Sequence, residues 1–72
     1  MKKFPLSRFP ERLKELKNEK GISNIVLGKN INVDNSTICR WEKGENDVKG
    51  EYLIRLALFF DVTVGYLLGL ED

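Results

Sequence analysis

The 72-residue sequence predicts a compact all-α fold, a bundle of five short helices, and three observations carry that expectation. Apolar residues recur at three- and four-residue spacing. Each periodic stretch is bracketed by residues that start or stop helices. No segment alternates apolar and polar as a half-buried strand would. The whole chain, residues 1–72, is expected to form one domain, with residues 1–7 as an N-terminal arm.

Pro5 and Pro10 punctuate that arm. Ser7 is placed to cap a first helix carrying Pro10 in its opening turn, where a missing N–H costs no hydrogen bond. Phe9, Leu13 and Leu16 then share one face, with Arg12, Lys14, Glu15 and Lys17 between them, and Gly21 ends the helix. Ser23 caps the second helix, which runs through Ile31 with Leu27 and Ile31 inward. Asn32 follows, a residue that tolerates the left-handed helix stop almost as well as glycine.

Asp34 is a good N-cap for a third helix from Asn35 to about Lys43, with Ile38 and Trp41 on its inner side. Residues 44–47 make a loop. The fourth helix covers roughly Gly50 to Phe60 and is apolar almost all round, which predicts cover on most sides. Thr63 caps a last short helix, Val64–Leu68, which stops at Gly69.

A chain this short buries only about 60% of its unfolded surface, so such domains often add a disulfide, a metal or a partner subunit. Cys39 is the one cysteine and histidine is absent, which removes an internal disulfide and leaves a zinc site without ligands. Self-association remains. The unpaired thiol fits a reducing, cytoplasmic setting. Lys2 and Lys3 lead into a stretch far too short for a signal peptide, and the longest apolar run, residues 56–60, falls well below the ~20 residues a bilayer requires. A soluble protein with no membrane contact is expected.

Net charge is only +1, but it is unevenly spread. Residues 1–43 carry ten Lys/Arg against five Asp/Glu, while residues 44–72 carry two against six. A basic front suits a polyanion, because the local field matters more than the total. Charged faces that merely keep a small protein soluble are the plain alternative.

The informative stretch is residues 23–42: two short helices joined by a tight turn at Asn32, Val33 and Asp34. With Ile38 and Trp41 inward, Asn35, Ser36, Cys39 and Arg40 are expected to point outward, as a short polar face suited to base edges in a groove about 12 Å wide.

This segment resembles the helix-turn-helix of the Cro and lambda-repressor (XRE-like) family, and the resemblance spans about residues 9–70. It rests on Arg12-Leu13-Lys14-Glu15-Leu16, on Glu19-Lys20-Gly21-Ile22-Ser23 and on Ser36-Thr37-Ile38-Cys39-Arg40-Trp41-Glu42-Lys43-Gly44. Leu53, Leu56-Ala57, Val62 and Leu67-Leu68-Gly69 complete it.

The resemblance implies base-reading roles for Asn35, Ser36 and Arg40. It implies phosphate contacts for Asn24, where the family usually has glutamine, and for Lys29 and Lys43 at flanking positions. Glu42 matches a glutamate that pairs with a cation on the first helix; Lys17 stands where arginine is usual, and lysine cannot reproduce a bidentate fork. Gly28 replaces an alanine at a propensity cost of about 1 kcal/mol while permitting closer packing. Asn32 replaces the usual turn glycine. Ile25 and Val26 fill positions that the family keeps polar; they either pack under the arm over residues 4–10 or mark a partner surface.

Other residues stay open between two readings. Arg40 contacts DNA, bidentate to guanine or at phosphate, or is simply a solvated helix charge, and Asn35 reads adenine or extends the Asp34 cap. Cys39 touches a thymine methyl or serves redox sensing, for which Arg40 is the only nearby cation. Lys2, Lys3 and Arg8 follow the DNA backbone or belong to a frayed terminus. Leu58, Phe59 and Tyr66 form a self-contact surface or are simply buried in the bundle; the family's usual dimers favour the former.

The expected function is sequence-specific binding of double-stranded DNA by a transcriptional regulator, a repressor, acting as a homodimer with no cofactor, metal or small-molecule ligand. The alternative is a protein-interaction module or antitoxin component that keeps the fold and binds DNA weakly. No catalytic constellation is legible: the carboxylates alternate with lysines, and no nucleophile has a base beside it.

Overall fold

The computed structural model describes residues 8–45 and 47–71. Five helices follow in order: α1 (Phe9–Lys20), α2 (Asn24–Ile31), α3 (Asn35–Lys43), α4 (Gly50–Phe60) and α5 (Val64–Leu68). No strand occurs among the described residues. None of the helices found there is long and apolar enough to cross a membrane.

The helix ends follow from local chemistry. Ser23 Oγ accepts from the Val26 N–H at 3.2 Å, and Thr63 Oγ1 accepts from the Tyr66 N–H at 3.0 Å, each satisfying one donor that the helix leaves without a partner. Asp34 has the extended backbone of a cap but makes no side-chain capping bond. Arg8 occupies the cap position of α1 without a side-chain bond, and Pro10 lies in the first turn. Ser7, the expected cap, lies outside the described residues. Each helix stops on a left-handed residue: Gly21, Asn32, Gly44, Asp61 and Gly69. Asp61, at φ 58°, is a stop that sequence reading did not identify.

The helices enclose one apolar cluster. Phe9, Leu13 and Leu16 of α1 meet Leu27 and Ile31 of α2, Ile38 and Trp41 of α3, and Leu67 of α5. From α4 come Leu53, Leu56, Ala57 and Phe60, which share one side of that helix. Its opposite side departs from the expectation of cover on most sides. Ile54 is 56% exposed and Leu58 77%, because α4 packs on α2 and α5 and no element crosses its outer face among the described residues.

Two buried or half-buried arginines tie helix ends together. Arg12 is buried; its guanidinium donates to the carbonyls of Tyr66 and Glu71, each at 3.1 Å, and lies 4.0 Å above the Tyr66 ring. Arg55 donates to the Ile31 carbonyl at 2.9 Å, at the C-terminus of α2. Cations are favoured at such carbonyl-rich ends. Thus α1 is fastened to α5, and α4 to α2.

Candidate nucleic-acid interface

The turn between α2 and α3 sets the geometry of the site. Asn32, at φ 61° and ψ 56°, reverses the chain, and the Val33 N–H donates back to the Gly28 carbonyl at 2.9 Å. This brings the Val33 backbone onto Gly28 so closely that a Cβ there would collide with the Val33 carbonyl oxygen. The glycine that looked like a propensity cost is therefore required by this turn.

Below α3, Ile38 is fully buried and Trp41 is 2% exposed. The Trp41 ring stands edge-on to Phe9 at 6.2 Å and lies 5.7 Å from Tyr52. These anchors hold α3 by its inner side. Asn35, Ser36 and Arg40 are exposed on the helix, with Lys43 exposed one turn beyond Arg40. Beside them an open groove of about 420 Å³ runs between α2 and the start of α3, lined in part by Ile25, Lys29, Val33 and Asn35. Lys29 thus shares a depression with Asn35, and the four outward residues of α3 lie along one helix.

Asn24 is arranged differently. Its side chain is half-buried and turned into the fold. Nδ2 donates to Glu42 Oε1 at 3.3 Å and to Cys39 Sγ at 3.6 Å, while Oδ1 accepts from Lys17 Nζ. Lys17 also pairs with Glu42 Oε2, both side chains being largely buried. Among the described residues that Oε2 has no hydrogen-bond partner, and the Lys17 ammonium pairs with it. The cation–glutamate pair that the resemblance implied is therefore formed, with lysine in place of arginine and Asn24 bridging it. Cys39, expected to point outward, is half-buried and faces α2 through the same amide. Sequence periodicity offered no signal for this, because the partners lie seven, fifteen and eighteen positions from Asn24.

The proposed self-contact residues do not form one exposed patch. Leu58 is open to solvent. Phe59 is half-buried, its ring 5.0 Å from Phe60 with Lys20 Nζ 5.2 Å from its centroid. Tyr66 is half-buried beneath Arg12. On α2, Ile25 and Val26 are both exposed; the arm over residues 4–10 is described only from Arg8 onward.

Residues 13–67 match the family model HTH_3, described as Helix-turn-helix. Among solved structures the chain is similar to the P22 c2 repressor protein, crystallised in complex with synthetic operator 9T in the presence of Tl+. That match has a TM-score of 0.78 and 30% sequence identity, and covers 82% of this chain and 89% of the other. No curated protein sequence matches the chain.

Proposed function

The chain belongs to the helix-turn-helix family of Cro and lambda-repressor type, and from that premise we propose that it is a sequence-specific regulator of transcription, a repressor rather than an enzyme, acting on double-stranded DNA in the cytoplasm. The observation that carries this reading is the two-sidedness of α3: Ile38 and Trp41 sit in the core while Asn35, Ser36 and Arg40 face solvent. A helix held from beneath with polar residues outward fits the major groove, where donors and acceptors distinguish all four base pairs. Arg40 is suited to guanine O6 and N7, Asn35 to adenine, and Ser36 to base or backbone. Lys29 and Lys43 reach phosphates on either side. The similarity to a repressor solved with an operator supports the same reading.

The active form is a homodimer whose contact surface includes Leu58, with Ile54 beside it on the outer face of α4. Two copies of α3 would then address half-sites about 34 Å apart on a roughly palindromic sequence.

The test is enrichment of preferred duplexes from random DNA, followed by two variants. Arg40→Ala should lose about 1–3 kcal/mol of discrimination at one base pair. Lys43→Ala should weaken every sequence alike and flatten the dependence of affinity on salt. Variants that both bind like wild type would exclude the groove geometry.

A second reading rests on Ile25 and Val26, exposed beside the groove where a polar surface would suffice for phosphate. It makes the chain an interaction module or antitoxin component with weak DNA binding. Failure to enrich any duplex, together with a stable complex with a protein partner, would favour it.

A further inference from the structure

We propose that Asn24 is a positioning residue that locks the orientation of α3, rather than a ligand for DNA phosphate; the inference rests on the regulator reading above. A phosphate oxygen accepts hydrogen bonds, so a neutral amide can hold it only through Nδ2–H. An asparagine has two such hydrogens. Here Nδ2 lies within donating reach of two inward acceptors, Glu42 Oε1 at 3.3 Å and Cys39 Sγ at 3.6 Å. The remaining polar atom, Oδ1, already accepts from Lys17 and would only repel a phosphate. A phosphate would therefore compete with these internal partners for the same nitrogen.

The network itself joins three helices. Lys17 lies on α1, Asn24 opens α2, and Cys39 and Glu42 lie three apart on α3. Ile38 and Trp41 fix how deeply α3 sits and which side meets the core, leaving only small rotations about the helix axis and small slides along it to be restricted. Directional bonds from one amide to two residues a turn apart restrict both motions. They act on the side of α3 that faces α2, adjacent to Asn35 and away from Arg40. Loss of the amide should let the reading face shift against the base edges while the fold and the phosphate-contacting lysines remain. Asparagine's short side chain makes this role possible: it meets Glu42 and Cys39 without reaching past the helix end.

The test uses the full chain and two probes: the duplex that wild type enriches most strongly, and the same duplex with one base pair under α3 changed. Binding to an unrelated random duplex serves as a check that the fold and the lysines are intact. Asn24→Ala should reduce the affinity ratio between the two probes about tenfold, with random-duplex binding unchanged. Glu42→Gln should lower the same ratio, and the double variant should lose no more than the worse single one, because both act through one network. Equal weakening on all three duplexes would mark Asn24 as a phosphate ligand and overturn the inference. Single-variant losses that multiply would also overturn it. Should Asn24→Ala fail to fold, Asn24→Leu keeps the approximate size, has no N–H donor and adds no charge, and must give the same fall in the ratio. A wild-type chain that enriches no duplex would instead defeat the regulator reading and this inference with it.

Discussion

Helices α3 and α4 are similar in length and opposite in what they show to solvent. The nine residues of α3 bury Ile38 and Trp41 and display Asn35, Ser36, Arg40 and Lys43. The eleven of α4 bury Leu53, Leu56, Ala57 and Phe60, yet still display Ile54 and Leu58. Burial alone therefore does not separate a presented helix from a structural one. The outer face does. A polar outer face suits a polar ligand such as base edges, and large apolar groups left in water suggest an apolar partner. In this chain the first kind lies on α3, within the basic front half, and the second on α4, within the acidic rear half.

The contrast breaks most dramatically from below. Trp41→Ala removes the ring that packs against Phe9 and Tyr52 and should cost roughly 3–5 kcal/mol. A 72-residue domain has a total stability on the order of 4–11 kcal/mol, so thermal unfolding followed by circular dichroism should show a greatly lowered midpoint or no cooperative transition. A nearly unchanged midpoint would mean that α3 is not held by its inner side.

Gly28→Ala comes next. The new methyl meets backbone, the Val33 carbonyl, which cannot rotate away as a flexible side chain would. Helix propensity alone favours alanine by about 1 kcal/mol, whereas crowding of this kind costs about 1–3 kcal/mol. The net effect should be destabilising, and a stabilised variant would show that the turn is looser than described.

The smallest effect belongs to the outer face of α4. Ile54→Ser and Leu58→Ser should each change monomer stability by no more than about 0.5 kcal/mol, since both side chains already stand in water. Sedimentation equilibrium should nevertheless detect weaker self-association for Leu58→Ser. Unaltered association would remove Leu58 from the contact surface.

These residues also mark what was legible in the sequence. Helix limits were readable because each depends on residues close in the chain: Ser23 and Thr63 satisfy an N–H three positions on, and Asn32 stops α2 by its own conformation. Asn35, Ser36 and Arg40 were assignable to the outside of α3 because Ile38 and Trp41 fixed the phase of the helix. On α4 only Glu51 and Arg55, four apart, mark the solvent side, and Ile54 and Leu58 lie three positions from them on the same face. The exposure of those two was therefore carried by a faint signal that the surrounding apolar run masked. The contacts of Arg12 and Arg55 were not legible for a related reason. Charge predicts solvent, and only the fold shows that their partners are backbone carbonyls far along the chain. Asn24 combined both difficulties, since its family position suggested phosphate while its actual partners converge from two other helices.

On the proposed reading the outward face of α3 enters the major groove. Dimethyl sulfate tests it with one reagent, because it methylates guanine N7 in the major groove and adenine N3 in the minor groove. On the duplex that wild type enriches, bound protein should shield guanine N7 at the positions Arg40 reads, and Arg40→Ala should restore their reactivity. Adenine N3 protected while every guanine N7 stays reactive would contradict the account.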